Sequence, residues 1–288
     1  MPGQDTPLVA VFNMKGGVGK TTIAANVFRV MSEDYGLKTL LVDFDPQANL
    51  SELLLTEEEF VEARSAGQTL LRVLEPDPPE SIFSIKGEDL ADVGKVTDYT
   101  VCVFEADPGH IDLVPGHWDL IHSMLRETSA AQRIARLRLA DFFDKARDEY
   151  DLVVLDCNPS TSFLTRAAVE HASHLLIPVT LNRYAPIGLN LISQYLDDLP
   201  TLRRTPDLIV VINAIQGAYR ARQQNIASIR ASRYGARTLV NVIEESGVLQ
   251  AKPDRSGFAV DLGLPYTQRA VDNLRPVAEE VAKRLGLE

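Results

Sequence analysis

The chain has 288 residues, of which 45% are hydrophobic and 24% are charged, and its formal net charge at pH 7 is −11. This composition is typical of a globular protein, and the length fits one large α/β domain better than two. The acidic net charge argues against a protein that coats nucleic acid with its whole surface. No apolar stretch approaches the roughly 20 residues of a membrane span, and the N-terminus lacks the basic and apolar regions of a signal peptide, so we expect a cytoplasmic protein without membrane contact.

The first predicted element is a buried strand from Leu8 to Asn13, and a glycine-rich loop follows it from Lys15 to Thr22. Because glycine lacks a Cβ, the backbone of this loop can curl and direct several N–H groups at one anion. A predicted helix begins at the end of the loop and adds its dipole to the same place. The loop therefore predicts a site for a nucleoside triphosphate formed by Gly16, Gly17, Val18, Gly19, Lys20, Thr21 and Thr22.

Individual side chains of this loop carry further chemistry. Lys20 can place its ammonium near the β and γ phosphates, and the hydroxyl of Thr21 is suited to bind Mg²⁺. A strict phosphate-loop pattern has glycine where this chain has Met14. Directly after it, Lys15 adds a second cation at the head of the loop.

Two later predicted strands end in acidic residues. One runs from Thr39 to Asp43 and is followed closely by Asp45, and the other runs from Leu152 to Asp156. The carboxyl ends of parallel strands lie at the sheet edge where ligands bind in open α/β folds. We therefore expect these carboxylates at the same edge as the glycine-rich loop.

Strands and helices alternate along nearly the whole chain, which predicts a single P-loop NTPase domain over residues 1–288, with a mostly parallel twisted sheet and helices on both faces. Helical spacing of apolar residues predicts helices over Ala130 to Tyr150 and Val271 to Leu285. The remaining predicted strands are Val101 to Phe104, His174 to Val179, Leu208 to Asn213 and Thr238 to Ile243.

Residues 56–100 fit this alternation least well. The acidic run Glu57 to Glu59 and the prolines between Pro76 and Pro79 favour a variable insertion that is first helical and then loop-like. The sequence leaves two roles open for this segment: an excursion exposed to solvent, or a surface that contacts a partner. The two cysteines, Cys102 and Cys157, lie in or next to predicted buried strands, so we expect both in the core, and their spacing matches no zinc motif.

The loop with Lys15, the Asp43 and Asp45 pair, and the strand that ends at Asp156 together resemble the ParA/MinD family of P-loop ATPases with a deviant Walker A motif. The resemblance covers nearly the whole chain. One departure is Asn158, where many relatives have proline. Because the first strand lies close to Met1, the chain is most similar to the small ParA type, without a separate N-terminal DNA-reading domain.

The resemblance implies a role for each matching residue. Lys15 would reach across a dimer interface to the partner's nucleotide, and Asp45 would orient the attacking water, so Lys15, Lys20 and Asp45 would be the catalytic set. Asp43 would help to hold the site or its metal shell, and Asp156 would bind Mg²⁺ through water. Asn213 would contact the adenine of ATP.

The family cycle implies an ATP-dependent homodimer that binds DNA without reading its sequence, and a ParB-like protein that stimulates slow hydrolysis. Such a cycle partitions a plasmid or chromosome and gives a cytoplasmic, nucleoid-associated protein. The segment from Leu208 to Ile243 contains arginines and no acidic residue, so the candidate phosphate contacts are Arg222, Arg230 and Arg233. We expect these three arginines on one side of a helix, which Ile226 and Ile229 share.

Two alternatives remain open. An ATPase of the same fold could position a protein assembly without contacting DNA, and charge reversal of the arginines would separate that function from partition. A metabolic P-loop enzyme is the other alternative, and it would need an additional catalytic cluster that the sequence does not show.

Overall fold

A computed structural model of the protein describes residues 6–75, 91–121, 129–182, 184–199, 202, 204–214, 219–250, 256–263 and 265–288. The strands are β1 (Leu8–Val11), β2 (Lys38–Asp43), β3 (Val101–Glu105), β4 (His110–Val114), β5 (Leu152–Asp156), β6 (His174–Thr180) and β7 (Asp207–Asn213). The helices are α1 (Lys20–Tyr35), α2 (Asn49–Leu54), α3 (Glu57–Ser65), α4 (Leu70–Leu74), α5 (Ser129–Glu149), α6 (Phe163–His171), α7 (Ala185–Asp197), α8 (Tyr219–Ala231), α9 (Gly247–Gln250) and α10 (Thr267–Leu285).

The strands of the described chain form one sheet in the order β3-β4-β2-β5-β1-β6-β7. All neighbours pair in parallel except β3, which is antiparallel to β4. Strand β1 lies between β5 and β6, so the chain reverses its direction of travel across the sheet there, and open α/β folds bind ligands at such a point. The predicted α/β fold with a mostly parallel sheet is confirmed.

Helices cover both faces of the sheet. Along β1, Leu8 and Ala10 pack into the core on one face, which also contains buried residues of α5, α6 and α7, whereas Val9 and Val11 pack with α1 and α10 on the other. Because both faces are covered, the strands read as continuous apolar runs. Among the described residues, no helix is long and apolar enough to cross a membrane.

The predicted strand from Thr238 to Ile243 is wrong. A 3₁₀ turn over Gly235–Arg237 precedes this segment, which pairs with β7 through a single parallel bridge between Val210 and Thr238. Leu239 and Ile243 are nevertheless buried. The apolar pattern therefore reflects burial beside the sheet edge without a strand.

The segment from α3 to β3 is built into the core in its described parts. The acidic run forms the first turn of α3, where Thr56 and Glu59 make a capping box and the negative charge suits the helix dipole. Leu70 and Val73 of α4 are fully buried, as is Val96 of the 3₁₀ turn that precedes β3. These parts are therefore not a solvated excursion, while the predicted proline-rich break lies outside the described residues.

A buried arginine of α5 secures this region. Arg138 is 5% exposed and donates hydrogen bonds to the carbonyl oxygens of Val73 at 2.8 Å and Asp92 at 3.0 Å. Its Nη2 also donates to the carbonyl oxygen of Arg72 at 3.3 Å. One side chain thus joins α5 to the end of α4 and to the residues before β3.

We expect Arg138→Leu to lower the free energy of unfolding by about 1–3 kcal/mol, because buried carbonyl groups lose their donor. Urea unfolding followed by circular dichroism measures the change. Arg133→Leu, at an exposed position of the same helix, is the matched control and should stay within about 0.5 kcal/mol of the parent. Equal stability of the two variants would contradict the role given to Arg138.

Candidate nucleotide-binding site

The loop between β1 and α1 is held in place from its start. Asn13 donates from Nδ2 to the carbonyl oxygen of Pro178 at 2.7 Å, and its Oδ1 accepts a hydrogen bond from the backbone N–H of Lys15 at 2.9 Å. Gly17 and Gly19 adopt φ values of 70° and 88°, which favour glycine. The loop therefore has the tight curl that a phosphate cradle requires.

The end of the loop rests on Asn213, at the end of β7. Its Nδ2 donates to the carbonyl oxygen of Val18 at 2.8 Å, and the residue is 7% exposed. A Cβ added to Gly19 would lie 2.2 Å from that Nδ2, so space as well as φ requires glycine there. Asn213 thus supports the loop, and its contact with adenine stays a prediction.

The two lysines of the loop differ in environment. Lys20 is 8% exposed, and its Nζ donates to the carbonyl oxygen of Lys15 at 3.4 Å. Burial lowers the pKa of Lys20, and the nearby Asp156 and Asp45 carboxylates oppose this change. The side chain of Lys15 is exposed. Lys20 is therefore part of this site, whereas Lys15 is open to solvent.

Thr21 and Asp156 meet where α1 begins and β5 ends. Thr21 Oγ1 donates to Asp156 Oδ2 at 2.7 Å, whereas the buried Asp156 Oδ1 has no hydrogen-bond partner among the described residues. Burial, reinforced by the Asp43 carboxylate, raises the pKa of Asp156 well above its usual range. A hydroxyl beside an unpartnered buried carboxylate oxygen fits Mg²⁺, which prefers oxygen ligands and would supply the missing charge.

Asp43 is fully buried at the end of β2, and its two oxygens accept hydrogen bonds from the protein. Oδ1 accepts from the backbone N–H of Asp45 at 3.1 Å, and Oδ2 accepts from the N–H and hydroxyl of Ser51 at 2.9 and 2.7 Å. Burial raises its pKa to about 7, although these hydrogen bonds favour the charged form. The geometry gives Asp43 a structural role in the loop after β2, and its contribution to a metal shell stays a prediction.

Asp45 lies in that loop, on the same side of the sheet. It is 8% exposed, and its Oδ1 accepts a hydrogen bond from the backbone N–H of Gln47 at 2.9 Å. Burial raises the pKa of Asp45, while the Gln47 N–H and the Lys20 charge act in the opposite direction. A carboxylate held in this way near a buried lysine can accept a hydrogen bond from a water molecule.

Two polar residues of the site were not identified from the sequence. Ser51 links Asp43 to the segment that follows β4, because the N–H of Gly116 donates to the Ser51 hydroxyl at 2.8 Å. Asn13 ends an apolar run, and that position was the signal that could have identified it. Asn158, the departure noted after β5, accepts from the hydroxyls of Ser160 and Thr165 at 2.8 and 2.6 Å, and so joins its loop to α6.

The candidate arginines do not all share one helix. Helix α8 ends at Ala231, so Arg233 lies beyond it, and the prediction of three arginines on one helical side is wrong. Arg233 donates to the hydroxyl of Tyr234 at 2.9 and 2.6 Å, and the exposed Arg230 donates to the carbonyl oxygen of Val240. Ile226 and Ile229 of α8 are buried in the core. The side chain of Arg222 lies outside the described residues.

The expectation for the cysteines is half right. Cys157, directly after Asp156, is buried, whereas Cys102 in β3 is exposed. Strand β3 forms the edge of the sheet, and an edge strand in antiparallel pairing leaves alternate side chains less covered.

Comparison with known families and curated proteins gives a consistent result. Residues 6–208 match the AAA domain family AAA_31. The chromosome-partitioning ATPase Soj of Treponema pallidum is 33% identical over 187 residues, which are 63% of this chain and 60% of that protein. The sporulation initiation inhibitor protein Soj of Bacillus subtilis is 31% identical over 183 residues, which are 64% of this chain and 62% of that protein. The match thus spans less than two thirds of either relative.

Three solved structures share the fold at low identity. A Cyanothece McdA variant in complex with ATP aligns with a TM-score of 0.71 and 19% identity, over 99% of this chain and 98% of that chain. The structure of pNOB8 ParA bound to nonspecific DNA aligns with a TM-score of 0.63 and 17% identity, over 96% of this chain and 99% of that chain. Cobyrinic acid a,c-diamide synthase from Mycobacterium smegmatis with ADP and magnesium gives 0.65 and 20%, over 96% and 94%. Since one of these is a synthase, the shared fold alone does not establish a function.

We expect Gly19→Ala to weaken nucleotide binding at least about tenfold, because a left-handed φ costs a residue with a Cβ about 1–2 kcal/mol and the new Cβ would also meet Asn213. Titration with a fluorescent ADP analogue measures the affinity. Gly188→Ala, at a site with open space, is the control. Wild-type affinity of Gly19→Ala would contradict the account of the loop.

Proposed function

Because the chain belongs to the AAA domain family and is a P-loop ATPase of the ParA/MinD type, we propose that it is an Mg-ATPase whose ATP-bound dimer drives DNA partition. The observation that carries the proposal is the convergence of Lys20, Thr21, Asp45 and Asp156 at one sheet edge, with Lys15 exposed beside them.

Nucleotide binding rests on the curled loop and the buried Lys20. The loop N–H groups and the N-terminus of α1 would bind the phosphates, and Lys20 would neutralise their charge. Thr21 Oγ1 and Asp156 would hold Mg²⁺, Asp156 through water, because the buried Asp156 Oδ1 lacks a partner within the described part of the chain. When bound, Mg²⁺ stabilises negative charge on the transferring phosphoryl group.

Hydrolysis rests mainly on positioning, since phosphoryl transfer needs little covalent help. Asp45 would accept a hydrogen bond from the attacking water and orient it toward the γ phosphate. The N–H of Gln47 holds the Asp45 carboxylate by one oxygen, and the Asp43–Ser51 hydrogen bonds hold the loop from which it projects. A site that lacks one transition-state cation would be slow on its own.

Dimerisation would supply that cation. Lys20 is already buried in its own site, whereas Lys15 is exposed at the head of the same loop. In a symmetric dimer with the loops facing each other, Lys15 of each subunit would reach the partner's nucleotide and stabilise charge there. A ParB-like protein would raise the rate further, and the protein would be cytoplasmic and nucleoid-associated.

We expect Asp45→Asn to retain ATP and to slow hydrolysis about a hundredfold or more, because an amide keeps the oxygen that accepts from Gln47 and loses the negative charge that orients water. The variant should accumulate as a dimer with ATP and remain monomeric with ADP, as measured by light scattering. Lys20→Ala should lose both nucleotide binding and dimerisation. A monomer with bound ATP, or a normal rate in Asp45→Asn, would contradict the proposal.

The proposed DNA surface lies around the end of α8. Arg230 is exposed on α8, and Arg233 is exposed just beyond its end, in a chain that is otherwise acidic. The hydrogen bonds to Val240 and Tyr234 fix the two guanidinium groups, and fixed guanidinium groups suit contact with phosphates. The structure of pNOB8 ParA on nonspecific DNA, which shares this fold, supports the proposal.

We expect Arg230→Glu combined with Arg233→Glu to weaken retention on duplex DNA about tenfold or more and to lower the salt dependence, because phosphate contacts are lost. Binding of the Asp45→Asn dimer to DNA at two salt concentrations measures both. Arg204→Glu, at an exposed arginine before β7, has the same charge change per site and is the control. If the parent and all of its variants form an ATP-dependent dimer that does not bind DNA, the alternative function, positioning of a protein assembly, would be favoured.

A further inference from the structure

Three side chains with metal-binding atoms meet on the β3–β4 hairpin. The donor atoms of Cys102, His110 and Asp112 all lie within 4.8 Å of one another. Cys102 is exposed, His110 is half-buried, and Asp112 is 7% exposed. The cluster therefore combines sulfur, nitrogen and oxygen donors at a place that solvent can reach.

The register of the two strands explains the cluster. Cys102 lies directly opposite Asp112 in the antiparallel pair, and His110 shares a face of β4 with Asp112 because alternate residues of a strand point the same way. An irregularity between Cys102 and Phe104 shifts the register, so that Glu105 pairs with His110. The shift brings a second carboxylate next to the cluster on β3.

The Asp112 carboxylate is oriented by a buried hydroxyl. Tyr150, which is 1% exposed and follows α5, donates to Asp112 Oδ2 at 2.7 Å. The other oxygen, Oδ1, lies 2.9 Å from His110 Nε2. Hydrogen-bonded carboxylate ligands are a regular feature of protein metal sites, because the second contact fixes the ligand.

The cluster is separate from the nucleotide site. His110 pairs with Lys38 at the first residue of β2, whereas Asp43 at the last residue of β2 pairs with Asp156. The two sites thus lie at opposite ends of the same strands. A cavity of about 460 Å³ lies beside the cluster and is lined by Lys38, Glu105 and His110, among others.

We propose that Cys102 Sγ, His110 Nε2 and Asp112 Oδ1 bind one Zn²⁺ or a similar borderline-soft divalent ion, with water or Glu105 at the fourth position. Thiolate and imidazole select such an ion over Mg²⁺. Ligand atoms at about 2.0–2.1 Å from a tetrahedral ion are about 3.3 Å apart, so the His110–Asp112 contact needs to widen by only a few tenths of an ångström. The ion would link the edge strand β3 to β4.

Titration of the full chain with Co²⁺ tests the proposal, with excess Mg²⁺ and ADP present so that the nucleotide site is filled. We expect one equivalent of Co²⁺ to give a thiolate-to-cobalt charge-transfer band, and Zn²⁺ to displace it. Cys102→Ser, at an exposed position, should abolish the band. His110→Gln and Tyr150→Phe should each weaken binding about tenfold or more, the latter by freeing the Asp112 carboxylate.

His174→Gln, at a half-buried histidine that begins β6, is the matched control and should leave Co²⁺ binding unchanged. Circular dichroism of each variant checks that it is folded. Absence of stoichiometric binding, or an unchanged band in Cys102→Ser, would overturn the proposal and leave His110 and Asp112 as a simple ion pair. The outcome is independent of ATP hydrolysis, so it is separate from a failure of the proposed function.

Discussion

The hydrogen bond between Thr21 Oγ1 and Asp156 Oδ2, 2.7 Å long, is the contact on which the site depends. It joins the first turn of α1 to the end of β5, two elements that come from distant parts of the sequence. Because β5 also pairs with β1 and β2, the bond fixes the phosphate loop relative to the Asp43 carboxylate as well. The other Asp156 oxygen is buried and has no partner in the part of the chain that the structure describes, and a cation would satisfy it.

The buried ionisable groups of the site oppose folding of the protein. Burial raises the pKa values of Asp43 and Asp156 and lowers that of Lys20, so each group is held where its charged form is disfavoured. Sites that bind a metal and a phosphate together tolerate this loss of folding stability, because binding of the ligand compensates for it. The Ser51 and Gln47 hydrogen bonds limit the cost at the two aspartates after β2.

Local patterns predicted the features that are local in origin. The glycine loop, the acidic strand ends and the apolar strands lie in short segments, so their residues could be identified without knowing the fold. Contacts between residues far apart in the sequence could not be predicted in this way. The hydrogen bond from Asn213 to Val18, the hydrogen bond from Arg138 to Val73 of α4 and the cluster around Cys102 arise from the topology and strand register of the fold. The segment from Thr238 was misassigned because a buried apolar run beside β7 has the composition of a strand.

Subunit mixing tests the central claim, that each active site is completed by Lys15 of the partner subunit. Lys15→Ala and Asp45→Asn homodimers should each be inactive, but a mixed dimer has one complete site, formed by the Lys15→Ala subunit and the partner's lysine. Random mixing of the two variants in equal amounts should therefore restore about a quarter of wild-type ATP hydrolysis. Half of the dimers then contain one subunit of each variant, and each of these dimers has one of its two sites intact. A mixture no more active than the separate variants would contradict the claim.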